Sequence, residues 1–159
     1  MARKILLVED DVFVKDIYLR ELIKGGYDVV VAEDGQAGID KAKAEKPELI
    51  LLDIMLPKKT GIDVLKEIRA PSSPAKDTPV YLLTNLGQGS IIKQAVEIGA
   101  QGYLLKARVL PSQVLQAVHD FFEKGPMKID LEELGLEWPM VETWWGNQLL
   151  ASFPWLSPS

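Results

Sequence analysis

The stretch Glu48-Leu49-Ile50-Leu51-Leu52-Asp53 decides how this chain folds. Its four consecutive large aliphatics leave no polar face, so the run predicts a strand covered on both sides, as in a parallel sheet flanked by helices. The run stops at Asp53, with Pro57 and Gly61 soon after, which places the carboxylate where the strand leaves the core. In open parallel sheets that carboxyl edge is where ligands bind.

Working outward, the same alternation recurs. Lys4-Ile5-Leu6-Leu7-Val8 reads as a strand closed by Glu9-Asp10-Asp11, and Val14, Ile17, Tyr18 and Leu22 give a helix stopped at Gly25-Gly26. Tyr27 to Ala32 is a second strand. Asp34-Gly35 is a turn or cap before a helix with Ile39 and Ala42 inward, ended by Pro47. After the central strand, Thr60 caps a third helix with Val64, Leu65 and Ile68 inward. Pro71-Ser72-Ser73-Pro74 marks a surface loop. Pro79-Val80-Tyr81-Leu82-Leu83 is a strand ending at Thr84, followed by a helix with Ile91, Ile92, Ala95 and Val96 on one face. Gln101 to Leu105 is the fifth strand, ending at Lys106. Val114, Val118, Phe121 and Phe122 then line a last helix that Gly125-Pro126 closes. Five strand–helix repeats imply an α/β, doubly wound parallel sheet with right-handed crossovers and helices on both faces.

The chain has 159 residues, 47% of them apolar, which suits one domain with a sizeable core. With no cysteine, disulfides and thiolate chemistry are excluded. No run approaches the ~18 apolar residues of a membrane span and no signal-peptide pattern opens the chain, so a cytoplasmic protein is expected. The net charge of −5 argues against a partner held through nucleic-acid phosphates. Residues 1–126 are expected to form the domain. Residues 127–159 differ in kind: all four tryptophans (Trp138, Trp144, Trp145, Trp155) lie there, and after Lys128 five acidic residues remain without one Lys or Arg. Asp130 and Glu133 fit the start of a short helix ended by Gly135, and Val141, Trp144, Trp145 and Leu149 have helical spacing interrupted by Gly146. This acidic extension is too small for a core of its own. It either docks on the domain, contacts a partner or second copy, or hangs free. Burying even two tryptophans removes ~300–500 Å² from water, which favours docking.

Polar residues follow the apolar runs at four strand ends: Glu9 and Asp10, Asp53, Thr84, and Lys106. A parallel sheet brings those ends to one edge. Carboxylates ~4 Å apart at an effective dielectric near 20 repel by about 4 kcal/mol per pair, so they must take up a proton or hold a cation. An all-oxygen site with room for waters suits Mg²⁺. With that charge offset, Asp53 can attack the phosphorus of a donor, while Lys106 and the Thr84 hydroxyl stabilise the equatorial oxygens.

These motifs together resemble the receiver domain of bacterial two-component response regulators, over residues 3–124. The matching stretches are Ile5 to Asp11, Leu51-Leu52-Asp53-Ile54-Met55-Leu56-Pro57 with Gly61, Leu82-Leu83-Thr84, and Gly102-Tyr103-Leu104-Leu105-Lys106. The resemblance contributes to the expected flavodoxin-like strand order 2-1-3-4-5, for which a chemotaxis receiver is itself a standard example. It implies Asp53 as phospho-acceptor, Glu9 and Asp10 on Mg²⁺ with the Met55 carbonyl, Thr84 and Lys106 on the phosphoryl oxygens, and Tyr103 as an aromatic switch that turns inward on activation. It implies a histidine kinase or phosphotransfer protein as donor. Output would run to a protein partner or homodimer through the fourth helix, fifth strand and fifth helix, or through the extension. Asp11 is expected to be a helix cap.

The chain also departs from the family. Ala107 stands where the family has proline in a cis peptide, so either that strained bond is kept or the loop is rearranged. Asn85 is expected to narrow the mouth of the site, and Met55 and Leu86 flank it with apolar bulk at positions that in this family influence how long the acyl phosphate survives; a slowly decaying phosphoryl group is expected. His119 is expected to be a solvated or capping residue. Gly87-Gln88-Gly89 lacks the Lys-Ser/Thr of a phosphate-binding loop. Two rival readings stand beside the signalling phospho-acceptor. An aspartyl-nucleophile phosphatase would need a second acid where Met55 stands. A phosphorylation-independent interaction module is suggested by Ala107 and the tryptophan-rich extension.

Overall fold

The computed structural model describes residues 2–85 and 89–129. Five strands alternate with five helices: β1 (Lys4–Val8), α1 (Val12–Lys24), β2 (Asp28–Ala32), α2 (Gly35–Glu45), β3 (Leu49–Asp53), α3 (Gly61–Ile68), β4 (Val80–Thr84), α4 (Gly89–Ile98), β5 (Gly102–Leu105) and α5 (Pro111–Lys124). All pairings are parallel and the order is β2-β1-β3-β4-β5, the expected topology. The apolar runs explain the burial. Every residue of β3 and β4 is buried, because helices cover both faces, whereas β2 at one rim keeps Val29, Val30 and Val31 half-exposed.

Side chains alternate between two core layers. One holds Leu6, Val8, Ile50, Leu52 and Leu82 with α2, α3 and α4. The other holds Ile5, Leu7, Leu49, Leu51 and Leu83 with α1 and α5. The helices start where the sequence supplies acceptors. Asp11 Oδ1 takes the amides of Phe13 (2.9 Å) and Val14 (3.1 Å), Asp34 Oδ1 that of Ala37 (2.8 Å), and Thr60 Oγ1 that of Asp63 (3.3 Å). Asp11 is thus a cap, as expected.

The helix expected from Val14, Ile17, Tyr18 and Leu22 forms as α1, and packing sorts its faces. On α1 the inward stripe is Tyr18 and Leu22 with Val14 half-buried, while Ile17 is 49% exposed. The 3.6-residue period puts 14, 18 and 22 in line and rotates 17 away. His119 lies within α5, half-buried, and is not a cap. Its Nδ1 lies 2.6 Å from Tyr27 Oη, and its ring tilts against that of Tyr27 at 5.2 Å between centroids.

Beyond α5 the chain stays on the domain. Gly125 turns it with φ 89°, the Met127 amide donates to Tyr81 Oη (2.8 Å), and Ile129 is fully buried. The readings made for residues 130–159, and for Leu86, lie outside the described residues. Among the described residues no helix is long and apolar enough to cross a membrane.

Candidate functional site

The register carries the four strand ends to one edge. Val8 lies beside Leu52, Asp53 beside Leu83, and Thr84 beside Leu105, so residues separated by nearly 100 positions face one another. Glu9, Asp10 and Asp53 present carboxylate oxygens all within 4.8 Å of one another. Glu9 and Asp53 are buried, at 0% and 4% exposure, and Asp10 is open to solvent.

Lys106 reaches back across β4 into this cluster. Its Nζ lies 2.7 Å from Glu9 Oε2 and 3.1 Å from Asp53 Oδ2. The residues after it turn without a cis bond: among the described residues every peptide is trans, and the amides of Arg108 and Val109 both donate to the Leu105 carbonyl. Of the two outcomes open for Ala107, the loop is therefore the rearranged one, and it still delivers the lysine. The carboxylates have backbone partners too. Asp53 Oδ1 accepts from the Met55 amide (3.1 Å) and Glu9 Oε1 from the Asp11 amide (3.2 Å).

Three ionised carboxylates against one ammonium would leave a charge of −2, and the electrostatics record the conflict. Burial pushes the Glu9 carboxyl up to about 7 from its usual 4.5, with Asp53 adding to the rise and Lys106 opposing it. Burial works to lower the Lys106 ammonium, but contact with Glu9 and Asp53 outweighs it and holds the group above its ordinary value. Glu9 Oε2 accepts no well-aligned hydrogen bond; its contact with Lys106 is an ion pair only. Oxygen-only donors, surplus negative charge, an under-used buried oxygen and one solvent-facing carboxylate fit a hard divalent cation.

The remaining predicted residues frame this cluster. Thr84 is 1% exposed at the end of β4, and its hydroxyl donates a long bond to the Asn85 carbonyl (3.4 Å). Met55 is 60% exposed beside the opening, and Asn85 is exposed as well. Tyr103 lies inward, 5% exposed, in the layer with Ile92, Ala95 and Leu105. One contributor was visible in the sequence only as a landmark. A Cβ on Gly61 would come within 2.6 Å of both the Asp53 carbonyl oxygen and Ile54 Cα, so only glycine lets the loop close beneath Asp53.

Comparison with known proteins shows which class of chain carries this topology and this acidic edge. The model of the response regulator receiver domain family matches residues 5–119, so the chain belongs to that family. It is 32% identical over 120 residues to chemotaxis protein CheY of Bacillus subtilis, covering 75% of this chain and 97% of CheY. It is 38% identical over 106 residues to the alkaline phosphatase synthesis transcriptional regulatory protein PhoP of the same organism. That match takes in 67% of this chain but only 43% of PhoP, so the chain spans less than half of that relative. Among solved structures, the phosphorylated cyanobacterial phytochrome response regulator RcpA aligns with a TM-score of 0.68 at 26% identity, over 78% of this chain and 96% of RcpA.

Proposed function

We propose that this chain is a cytoplasmic receiver that accepts a phosphoryl group on Asp53 from a histidine kinase or phosphotransfer protein. The observation that carries the reading is the buried Glu9–Lys106–Asp53 cluster, in which an acceptor carboxylate and a cation already lie 3.1 Å apart beside surplus negative charge. Mg²⁺, held by Glu9, Asp10 and Asp53 with the Met55 carbonyl, would supply the charge that lets the anionic donor approach.

The residues of the chain do the rest. The Asp53 carboxylate oxygen forms the new O–P bond as the donor's P–N bond breaks; the bonding pair stays on the ring nitrogen, and a phosphoimidazole whose other nitrogen already carries a proton leaves as neutral imidazole. Lys106, already ion-paired to Asp53, follows the transferred oxygens. The Thr84 hydroxyl, at the next strand end, exchanges its long bond to Asn85 for a phosphoryl oxygen. That exchange pulls on β4 and β5, and Tyr103, itself on β5, registers the change at the face formed by α4, β5 and α5, where a protein partner or second copy would read it. The chain turns over only its own phosphoryl group.

The rival interaction module drew on Ala107. That support weakens, because the rearranged loop still delivers Lys106 to the carboxylates. The phosphatase reading lacks a second acid, since Met55 fills the position.

Incubation with Mg²⁺ and acetyl phosphate, read by intact-protein mass, should give one base-labile phosphoryl addition. The addition should vanish without the metal and in Asp53→Asn. Labelling that persists in that variant, or none in the parent chain, overturns the proposal.

A further inference from the structure

We infer that residues 130–159 dock back on the same molecule, over the rim of β5 and the flanks of α4 and α5, and that the segment 125–129 is the anchor that sends them there. Phosphorylation of Asp53 would then act by loosening this cover. Only that regulatory half rests on the function proposed above.

The path of the chain carries the inference. The receiver family's match ends at residue 119, and α5 ends at Lys124, yet the chain does not depart. The Tyr81 hydroxyl takes the Met127 amide, and Gly102, the first residue of β5, leaves room for the methionine. A Cβ there would meet the Tyr81 ring at 2.7 Å and Met127 Cγ and Sδ at 2.8 and 2.9 Å. Met127 packs against the layer shared with α1 and α5, while Ile129, two residues on, is 0% exposed in the opposite layer with Val80, Ala100 and Tyr103. Two residues span ~7 Å when extended, which is enough to cross one strand. Since β5 is a terminal strand of the sheet, the segment passes over its open rim from the α5 side to the α4 side. Unpaired strand edges invite such cover.

The residues after Ile129 suit that place. Thirty of them remain, from 130 to 159, ample to line one strand and two helices. Beside the anchor lies a mainly apolar cavity of about 200 Å³ between Tyr81, Leu104, Ala117, Phe121 and Met127, which would accept a large apolar side chain. Charge points the same way. Residues 1–129 hold all 18 Lys and Arg and 18 of the 23 Asp and Glu, a balance of zero, so the last thirty residues carry the whole net charge of −5. Their acids begin at Asp130, Glu132 and Glu133, directly after the exposed Lys124 and Lys128. Tyr103 shares a core layer with Ile129, so a change around β5 reaches the anchor.

The test uses the full chain, because its tryptophans all lie in residues 138–155 and fluorescence reports on that segment alone. Acrylamide quenching is measured across a dilution series, with sedimentation to follow the oligomeric state. We expect shielded tryptophans whose quenching is unchanged on dilution. Ile129→Asp should raise the quenching constant severalfold, and the double reversal Lys124→Glu/Lys128→Glu, which touches no core residue, should raise it in low salt. Shielding that disappears on dilution would assign the segment to a second copy and overturn docking in cis; tryptophans as open as in the urea-unfolded chain would overturn docking altogether, as would indifference to the charge reversal. Adding Mg²⁺ and acetyl phosphate should increase quenching in the parent chain and not in Asp53→Asn. Labelling of Asp53 with unmoved quenching overturns the regulatory half. Absence of labelling counts against the proposed function, while the dilution and variant arms still decide the docking.

Discussion

The two ends of the same sheet solve opposite problems. At the carboxyl end, Glu9 and Asp53 are buried with one lysine between them, and burial drives Glu9 up to about 7. At the amino end the charged side chains stay in water and the half-buried contacts are aromatic. Arg3 and Glu48 pair at 3.6 Å with about half of each side chain exposed. Inside them Tyr27 holds His119 at 2.6 Å and stacks on Phe122 at 5.7 Å between centroids, while Arg3 lies 4.5 Å over the Phe122 ring. Tyr81 meets Phe121 edge-on at 5.4 Å. One end stores unfavourable charge that a cation can relieve. The other is already at rest. A fold carries such an imbalance where it binds something, and not where it only holds together.

The contrast can be broken most forcefully at Lys106. Lys106→Met should cost about 3–5 kcal/mol in metal-free protein at pH 8, because it leaves two buried carboxylates facing each other. Chemical denaturation would show it, and Mg²⁺ or acid should restore most of the loss. If the variant is as stable as the parent chain, the charge cluster is not strained.

A smaller effect comes from Glu9. Its folded-state value lies above the unfolded one, so between pH 4.5 and about 7 the folded chain keeps a proton that the unfolded chain releases. Stability of metal-free protein should therefore fall as pH rises through that interval, by up to about 3 kcal/mol. The difference between the parent chain and Glu9→Gln isolates the contribution, since the glutamine variant should lack this slope.

The smallest change belongs to the quiet end. Tyr27→Phe removes the hydroxyl from His119 and should cost about 0.5–1.5 kcal/mol, with no dependence on Mg²⁺. A loss as large as that of Lys106→Met would erase the distinction between the two ends.

Much of this was legible in the sequence, for a definable reason. Leu49 to Asp53 and its companion runs have no polar face, and each ends in a polar residue, so topology alone collects Glu9, Asp10, Asp53, Thr84 and Lys106 at one edge. Periodicity was less safe where several apolar residues crowd one helix. On α1, Val14, Ile17, Tyr18 and Leu22 share helical spacing, and only the packing shows Ile17 facing out. The contact of His119 was not legible because its partner, Tyr27, is 92 positions away and no local pattern links them. Ala107 left two backbone outcomes open, since a single substitution does not say how a loop will turn. Met127 and Ile129 gave no signal at all, because two apolar residues after a Gly-Pro turn have no period to read.

Gly61 has a mechanical consequence. The loop after β3 rests against the Asp53 carbonyl with no space for even a methyl group, and the Gly61 amide is tied to the Ile54 carbonyl at 2.8 Å. Asp53 thus stands on a floor that cannot sink. Under the function proposed above, the bulk added to its carboxylate would be met overhead by Thr84 and Lys106 on neighbouring strands, turning a chemical event at one atom into a one-way push toward the far rim of the sheet.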